Sequence, residues 1–170
     1  MDFEFGYKTV DLFNCTIVEG TRNFAGNEKK DRNTGRVRNN EGNRNFLIEL
    51  DPDVYEEFKE RGWNVGRFAA REDGVEPKGF MRITVSYFKQ PPIIHLISDG
   101  IDTPVGENRI HMLDSVNILN MDMRCTAVNK QNKDGEWKKY AYVDEMWVEI
   151  TPDRFARKYA NLRHANEDEE

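Results

Sequence analysis

The segment from Arg22 to Arg44, called the basic segment here, concentrates positive charge in a sequence that is otherwise acidic. It contains seven basic and three acidic residues, a net charge of +4, whereas the whole chain has a formal net charge of −6. Its basic residues are Arg22, Lys29, Lys30, Arg32, Arg36, Arg38 and Arg44. Lysine and arginine side chains beside a nucleic-acid backbone neutralise phosphates and release condensed counterions. The segment therefore predicts an arm that contacts phosphates, and a solvated hairpin loop without a ligand is an equally good interpretation of its composition.

A second group of candidate residues combines aromatic rings with lysines. It consists of Trp137, Lys138, Lys139, Tyr140 and Tyr142. Proteins that bind single strands stack bases on aromatic faces within a basic groove, and each stacked base contributes about 1–3 kcal/mol. In a strand, Tyr140 and Tyr142 would share one face and Lys139 would lie on the other. The pattern favours a surface for stacked bases, although tyrosine and tryptophan are also common in strands for packing reasons.

Phe24 lies within the basic segment, close to its first arginine. Two roles are open for its ring on sequence grounds: stacking on a base, or closing one end of a β-barrel. We expect at least one aromatic residue of the candidate site to stack on a base. The candidates are Phe24, Trp137, Tyr140 and Tyr142.

The elements that must position these residues are mostly β-strands, which alternating apolar and polar residues predict. The predicted strands are 9–18, 44–50, 80–88, 93–98, 116–128 and 137–150. The first two are expected to form a hairpin around the basic segment, with a bulge near Phe13. The last two are expected to form a second long hairpin, with a kink near Asp144 and Glu145.

Two helices are predicted from the residues that begin and end them. Asp51 and Pro52 suit the N-cap and the first helical position, and Gly62 suits the end of that helix. Two apolar residues of this helix are four positions apart and should face the core. They are Val54 and Phe58. A second helix is predicted after residue 151 from the same pattern, and a single helical turn is predicted at 109–114.

Length and composition limit the class of protein. The 170 residues predict one domain, 1–164, followed by a disordered acidic tail, 165–170. Cys15 and Cys125 lie in strand-like runs and are expected to be buried free thiols in a reducing compartment, and a disulfide between them is left open. The sequence has no apolar run that is long enough to cross a membrane, and its first residues lack the pattern of a signal peptide. We therefore expect a cytoplasmic protein without a membrane partner.

Common catalytic motifs are absent from the sequence. It has no glycine-rich phosphate loop ending in Lys-Ser or Lys-Thr, and no Gly-x-Ser-x-Gly motif. The histidines are not spaced as metal ligands with the two cysteines. They are His95, His111 and His164. His95 is expected to be a hydrogen-bonded histidine of the core or of a hairpin. We predict a protein without catalytic activity, cofactor or metal.

Several short motifs resemble a family of small tailed-phage proteins that are labelled single-stranded DNA-binding proteins. The matching residues are 22–26, 44–46, 62–65, Pro77, 85–87 and Pro91-Pro92. The resemblance spans residues 9–150 and implies a mainly β fold of the oligonucleotide/oligosaccharide-binding (OB) type. Such a fold would be a five-stranded barrel with long hairpin loops, one helix between strands and a C-terminal helix. The basic segment is longer here than in the family pattern.

The resemblance also implies a function. It points to a protein that coats and protects single-stranded DNA during phage replication or recombination, without catalysis, in the cytoplasm of the host. Phage and bacterial single-strand binders carry acidic tails that recruit replication or recombination proteins and compete with DNA for the groove. The residues of this chain that would do so are Glu167, Asp168, Glu169 and Glu170. Self-association into a homo-oligomer is left open.

Two other classes of function are open at this level. A phage-encoded interaction module could inhibit a host factor through an acidic surface that mimics nucleic acid, and the net charge of −6 favours this alternative. A metal-dependent nuclease that uses scattered carboxylates comes third. Salt-sensitive binding to single strands, with weaker binding to duplex DNA, would distinguish a single-strand binder from the interaction module.

Overall fold

The computed structural model describes residues 1–28 and 44–152. Within these ranges the chain forms nine β-strands, one α-helix and one 3₁₀ helix, so the prediction of a mainly β fold is confirmed. The strands are β1 (Asp2–Phe5), β2 (Thr9–Phe13), β3 (Asn45–Leu50), β4 (Val65–Arg67), β5 (Gly79–Thr84), β6 (Ile93–Ser98), β7 (Ile101–Val105), β8 (Ile118–Gln131) and β9 (Trp137–Ile150). The α-helix α1 spans Pro52–Glu60, and the 3₁₀ helix spans Ile110–Asp114.

Some predictions fall on residues outside the described ranges and stay predictions. They include the second helix after residue 151 and the acidic tail. Among the candidate site residues, the following lie outside: Lys29, Lys30, Arg32, Arg36, Arg38, Glu167, Asp168, Glu169 and Glu170.

Helix α1 begins and ends where the local sequence predicts. Pro52 lies in its first turn, and Gly62 follows its end with a φ of +87°, which glycine adopts without strain. Asp51 occupies the N-cap position, but its side chain makes no capping hydrogen bond. The inward residues Val54 and Phe58 are buried, as predicted. The ring of Phe58 packs in a cluster of aromatic rings with centroid distances of 5.1–5.7 Å, formed with Phe3, Phe5 and Trp63.

The second predicted hairpin is present as β8 and β9, which pair in antiparallel register from Ile118–Ile150 to Gln131–Trp137. The register shifts between Arg124, which pairs with Glu145, and Cys125, which pairs with Val143. Asp144 is therefore the extra residue of a β-bulge. This position confirms the predicted kink.

The first predicted hairpin is only partly correct. β2 ends at Phe13 because Asn14 has a φ of +57°, and β2 pairs with β1 and β8 rather than with β3. The regular partner of β3 is β5. The chain beyond Asn14 does run antiparallel to β3, but through isolated contacts such as the bridge between Ile17 and Ile48. The expected bulge is thus a break that redirects the chain from one strand to another.

Regular ladders join six strands in the order β1-β2-β8-β9-β5-β3. β9 is antiparallel to β8, and it pairs in parallel with β5 in its first half and with β6 in its second half. β4 pairs with β5, and β7 pairs with β6. The described strands form an open mixed sheet, and their regular ladders do not close into the barrel that the resemblance implies.

Three strands were not expected from the sequence. β1 is short, and β7 lies in a stretch of turn-forming residues that predicts a loop and includes Pro104. β4 contains Gly66, which a period-two pattern does not favour. The Phe80 ring packs directly over Gly66, where a Cβ atom would displace it. Each of these segments forms a strand because it pairs with another strand, and its own sequence does not show that partner.

The core is formed by the inward side chains of the strands, together with those of α1 and the 3₁₀ helix. Its largest fully buried side chains include Phe24, Phe46 and Phe58. Cys15 and Cys125 are buried free thiols, as predicted, and burial raises the pKa of Cys15 to about 12. No helix among the described residues has the length and apolar character needed to cross a membrane.

Candidate nucleic-acid interface

The root of the basic segment, defined as residues 22–26 with Arg44, is attached to the 3₁₀ helix and the residues after it. Arg22 Nη1 donates hydrogen bonds to the carbonyl oxygens of Leu113 at 3.3 Å and Val116 at 2.7 Å. A hydrogen bond from a charged donor is about twice as strong as one between neutral groups. Arg22, a candidate phosphate ligand, therefore has a structural contact in the protein itself.

Asp114, the last residue of the 3₁₀ helix, binds the backbone of the same root. Its two carboxylate oxygens accept hydrogen bonds from the backbone N–H groups of Phe24 at 2.7 Å and Ala25 at 2.9 Å. Phe24 is completely buried, and its ring centroid lies 5.0 Å from that of Phe46. The ring therefore packs within the core and has no exposed face for a base, whereas the role of closing a barrel end stays a prediction.

Arg44 closes the root at the other end of the basic segment. Its Nη1 donates to the carbonyl oxygen of Phe24 at 2.7 Å, while Nη2 lies 3.8 Å from Oε1 of Glu107. The guanidinium lies 5.7 Å from the ring centroid of Tyr87. Gly26 has a φ of +71°, and a Cβ atom there would lie 2.9 Å from Cγ of Arg44. The close approach of Arg44 therefore depends on glycine at this position.

A cavity of about 580 Å³, called the root cavity here, opens beside Arg44. It is bordered by the root, by the residues that follow β5 and by the turn before the 3₁₀ helix. Its lining residues are Gly26, Asn27, Glu28, Arg44, Val85, Ser86, Tyr87, Phe88 and Glu107. The cavity is large enough for a phosphate group or a base, and Arg44 supplies positive charge within it.

The outer side of the β8–β9 hairpin carries Lys130, Tyr140 and Tyr142, called the hairpin face here. Lys130 Nζ lies 5.7 Å from the ring centroid of Tyr140 and 4.5 Å from that of Tyr142, and it donates a hydrogen bond to the Tyr142 hydroxyl. Ala141 and Val143 point to the core, as the predicted alternation requires. The tyrosines are half-buried and Lys130 is exposed, so rings and charge are presented together.

A second cavity, of about 660 Å³, connects the hairpin face with the segment after β5. Its lining includes Lys130 and Tyr142 from the hairpin, and Lys89 from the segment. Ser86 and Phe88 line both this cavity and the root cavity. The two cavities therefore border one stretch of surface, called the groove here, with Phe88 between the root and the hairpin face.

The sequence predictions included neither Lys89 nor Lys130 of the groove, and they also missed its exposed ring, Phe88. Its side chain is 67% exposed, although the sequence predicts it as the last residue of an alternating strand. β5 ends earlier, at Thr84, so the residues up to Pro91 lie outside regular strand structure. The available signal was the run of polar and proline residues directly after Phe88, which ends a strand and leaves an aromatic ring unpaired.

The other members of the aromatic–lysine group do not line either cavity. Trp137 is 69% exposed, on the side of β9 that faces the core further along the strand. Lys139 Nζ lies 5.9 Å from the ring of Trp63, and Lys138 Nζ lies 3.5 Å from a carboxylate oxygen of Glu136. Trp137 and Lys139 lie on the opposite face of β9 from Tyr142, and Lys138 shares the face of Tyr142. Their contacts with nucleic acid stay a prediction.

His95 belongs to a polar cluster that lines neither cavity. Its Nε2 lies 2.7 Å from Glu145 Oε2 and its Nδ1 lies 2.9 Å from Asp102 Oδ2, and its ring stacks on Trp147 at 5.2 Å. The hydrogen bond with Glu145 is the main reason that the pKa of His95 is raised; Asp102 adds to this effect and burial opposes it. Within residues 1–28 and 44–152, no group of histidine, cysteine and acidic side chains could hold a metal ion.

A groove that combines basic and aromatic side chains on a β-sheet is typical of proteins that bind single-stranded nucleic acids. The family described as "Putative phage ssDNA-binding domain" matches residues 11–170 of this chain. The match covers most of the sequence, and the chain belongs to this family, as its motifs predict. Comparisons with curated proteins and with solved structures found no match.

Proposed function

We propose that this protein binds single-stranded DNA along the groove and coats it during phage replication or recombination, without catalysing a reaction. The observation that supports this most directly is the position of Phe88, which lies between Arg44 at the root and Lys130 and Tyr142 on the hairpin face. Family membership supplies the class of ligand. The groove supplies side chains suited to both parts of a nucleotide.

The chemistry of the groove fits a single strand better than a duplex. Exposed rings such as Phe88 and the half-buried Tyr142 can stack on bases only when those bases are unpaired and accessible. Lys130 and Lys89 lie in the same cavity and can neutralise the phosphates that connect stacked bases. Further cations of the basic segment would extend this contact beyond the groove.

We also propose that the sheet is organised as an OB-like barrel, which has five strands and is partly open. The candidate barrel strands are β2, β3, β5, β9 and β8. Two contacts support the approach of its ends: the Cys15 N–H donates to the Met121 carbonyl at 2.9 Å, and the Val18 N–H donates to the Leu47 carbonyl at 2.8 Å. These contacts link the chain after β2 to both β8 and β3.

In this arrangement, the basic segment and the β8–β9 turn would connect neighbouring barrel strands. Oligonucleotide-binding barrels use the loops at these two places, together with the barrel surface between them. The proposal therefore explains why the root and the hairpin face border the same groove. The acidic tail would compete with DNA for the groove and recruit replication or recombination proteins.

The decisive test is fluorescence anisotropy with labelled oligo-dT, performed at about 50 mM and about 200 mM salt. A duplex of the same length is the matched control. We expect binding to the single strand that weakens with salt, and weaker binding to the duplex. Absence of binding to oligo-dT at the lower salt concentration would reject the proposed function.

A second candidate function is inhibition of a host protein through an acidic surface. The observation that favours it is a row of carboxylates along the solvent side of α1, formed by Asp53, Glu56, Glu57 and Glu60. Such a row could imitate the phosphates of a nucleic acid toward a basic protein. This candidate would replace the first if the protein fails to bind oligo-dT.

A further inference from the structure

The root cavity contains opposing charges at close range. Among its described lining residues, Arg44 is the only cation, and Glu28 and Glu107 are carboxylates. Arg44 is 23% exposed, so part of its guanidinium is open to the cavity, and Glu107 is 59% exposed. An anion bound in this cavity would need the positive charge of Arg44. The Glu107 carboxylate lies close enough to Arg44 to compete with that anion for the guanidinium.

The two nitrogens at the end of Arg44 differ in how firmly they are held. Nη1 donates to the Phe24 carbonyl at 2.7 Å, which fixes the side chain against the root. Nη2 lies 3.8 Å from the Glu107 carboxylate, which is longer than the roughly 2.7–2.9 Å of a charge-assisted hydrogen bond. The contact with Glu107 is therefore loose, and a phosphate oxygen could replace the carboxylate without disturbing the anchored nitrogen.

The side chain of Tyr87 lines the same cavity. Its hydroxyl is buried and has no hydrogen-bond partner among the described residues. Burial is the main cause that raises the pKa of Tyr87, and the Arg44 charge opposes this rise while Glu107 adds to it. A buried hydroxyl without a partner destabilises the protein, so a ligand oxygen that accepts its hydrogen bond would be favoured.

We propose that the root cavity is a subsite for one backbone phosphate of bound DNA, and that Glu107 acts as an internal competitor for that phosphate. This inference rests on the proposed function and concerns its regulation. In the free protein, Glu107 neutralises Arg44. On binding, the phosphate takes the place of the carboxylate at Nη2, and Glu107 moves into solvent. The Tyr87 side chain turns so that its buried hydroxyl donates a hydrogen bond to a phosphate oxygen.

The test compares Glu107→Gln with Glu28→Gln, which removes a carboxylate from the same cavity without removing the partner of Arg44. Both variants are titrated with labelled oligo-dT at low salt. We expect Glu107→Gln to bind about two- to fivefold more tightly than Glu28→Gln, the range for loss of an exposed ion pair. Equal affinities of the two variants would overturn the proposal while leaving the proposed function intact, provided that the wild type binds.

A double-mutant cycle separates a direct contact from a general effect of charge. In an Arg44→Gln background, Glu107→Gln should no longer tighten binding, because the cation for which it competes is gone. Tightening of the same size in that background would reject the competition. Failure of the wild type to bind oligo-dT would instead reject the proposed function.

Tyr87→Phe provides an independent measurement. This variant removes the buried hydroxyl and keeps the ring, so we expect its resistance to urea to equal or exceed that of the wild type. Its affinity for oligo-dT should fall severalfold, since the phosphate loses a donor. Unchanged affinity would exclude the hydroxyl from the subsite.

Discussion

The root of the basic segment and the hairpin face contain similar residue types but use them differently. At the root, Arg22 bonds to backbone carbonyl groups, Asp114 of the 3₁₀ helix accepts from the Phe24 and Ala25 N–H groups, and the Phe24 ring is completely buried. At the hairpin face, Lys130 is exposed and lies over the rings of Tyr140 and Tyr142. The side chains of the root make contacts within the protein, whereas the hairpin face presents charge and aromatic rings to solvent.

This difference distinguishes residues that hold the fold in place from residues that are available to bind a ligand. A side chain that satisfies buried backbone groups contributes to folding, and its loss leaves those groups without partners. A side chain at an exposed face contributes little to folding and can bind a ligand without a large rearrangement. Substitutions of Arg22 or Asp114 should therefore change mainly the free energy of unfolding, and those of exposed groove residues should change mainly the affinity for DNA.

The largest effect is expected for Asp114→Ala. The substitution removes the acceptor of two backbone N–H groups, so the free energy of unfolding should fall by about 2–4 kcal/mol. Urea unfolding monitored by circular dichroism measures this change. Asp134→Ala, in the exposed turn between β8 and β9, is the matched control. A change below about 0.5 kcal/mol for Asp114→Ala, typical of an ordinary surface substitution, would show that the root is not held as described.

Phe88→Ala and Tyr142→Ala should lower the affinity for DNA and leave the free energy of unfolding nearly unchanged. Each should weaken binding to oligo-dT by about 1–3 kcal/mol, the range for loss of one stacked base. Their unfolding should change little, because Phe88 is mostly exposed and Tyr142 is half-buried. Tyr7→Ala removes a ring that is 87% exposed and lines neither cavity, and it should not alter affinity. Equal weakening by all three substitutions would remove the distinction between the groove and the rest of the surface.

The arginines of the basic segment should also differ in whether they contribute to DNA binding or to stability. Replacing both Arg36 and Arg38 by Ala should reduce the log–log dependence of affinity on salt by about one unit for each phosphate that the variant no longer neutralises. Arg22→Ala should mainly lower stability, since its guanidinium bonds to Leu113 and Val116. Titrations at several salt concentrations measure the slope. An unchanged slope in the Arg36/Arg38 variant would exclude these residues from phosphate binding.

Deleting residues 166–170 should tighten binding to oligo-dT. Four tethered carboxylates compete with phosphates for basic side chains, and the effect should be about two- to fivefold at low salt and smaller near physiological salt. The matched control keeps the length and removes the charge, with Glu167→Gln, Asp168→Asn, Glu169→Gln and Glu170→Gln. If the tail competes with DNA, the deletion variant and the charge-free variant should bind oligo-dT with the same affinity. Affinity equal to that of the wild type at every salt concentration would refute it.

The smallest effect should come from His95, which belongs to neither the root nor the hairpin face. Its pKa in the folded protein is raised above the ordinary value of 6.5, so the charged form stabilises the fold. This contribution is fully present below the ordinary value and is lost as the pH rises through the raised pKa. The melting temperature of the wild type should fall over that range relative to His95→Gln. Parallel melting profiles of the two proteins would contradict this assignment.

The sequence alone was sufficient for α1 and for the β8–β9 hairpin. Helix-starting residues and the glycine after α1 act within a few positions, and alternation in two adjacent runs defines a hairpin. The bulge at Asp144 was also visible, because a local break in alternation marks it. The opposite faces of Tyr142 and Val143 follow from the same local rule.

Only the tertiary structure decided the partners of the strands and the roles of the arginines. β7 and the parallel pairings of β9 depend on segments that are distant in the sequence. Arg22 looks like a phosphate ligand by residue type, but the carbonyl groups that it bonds lie more than 90 positions away. An aromatic residue such as Phe24 suits both packing and base stacking, so its type does not decide between them. Its ring is in the core because Asp114 of the 3₁₀ helix fixes the Phe24 backbone. Residue type and local period determine which bonds a side chain can form, and the folded chain decides which partner is within reach.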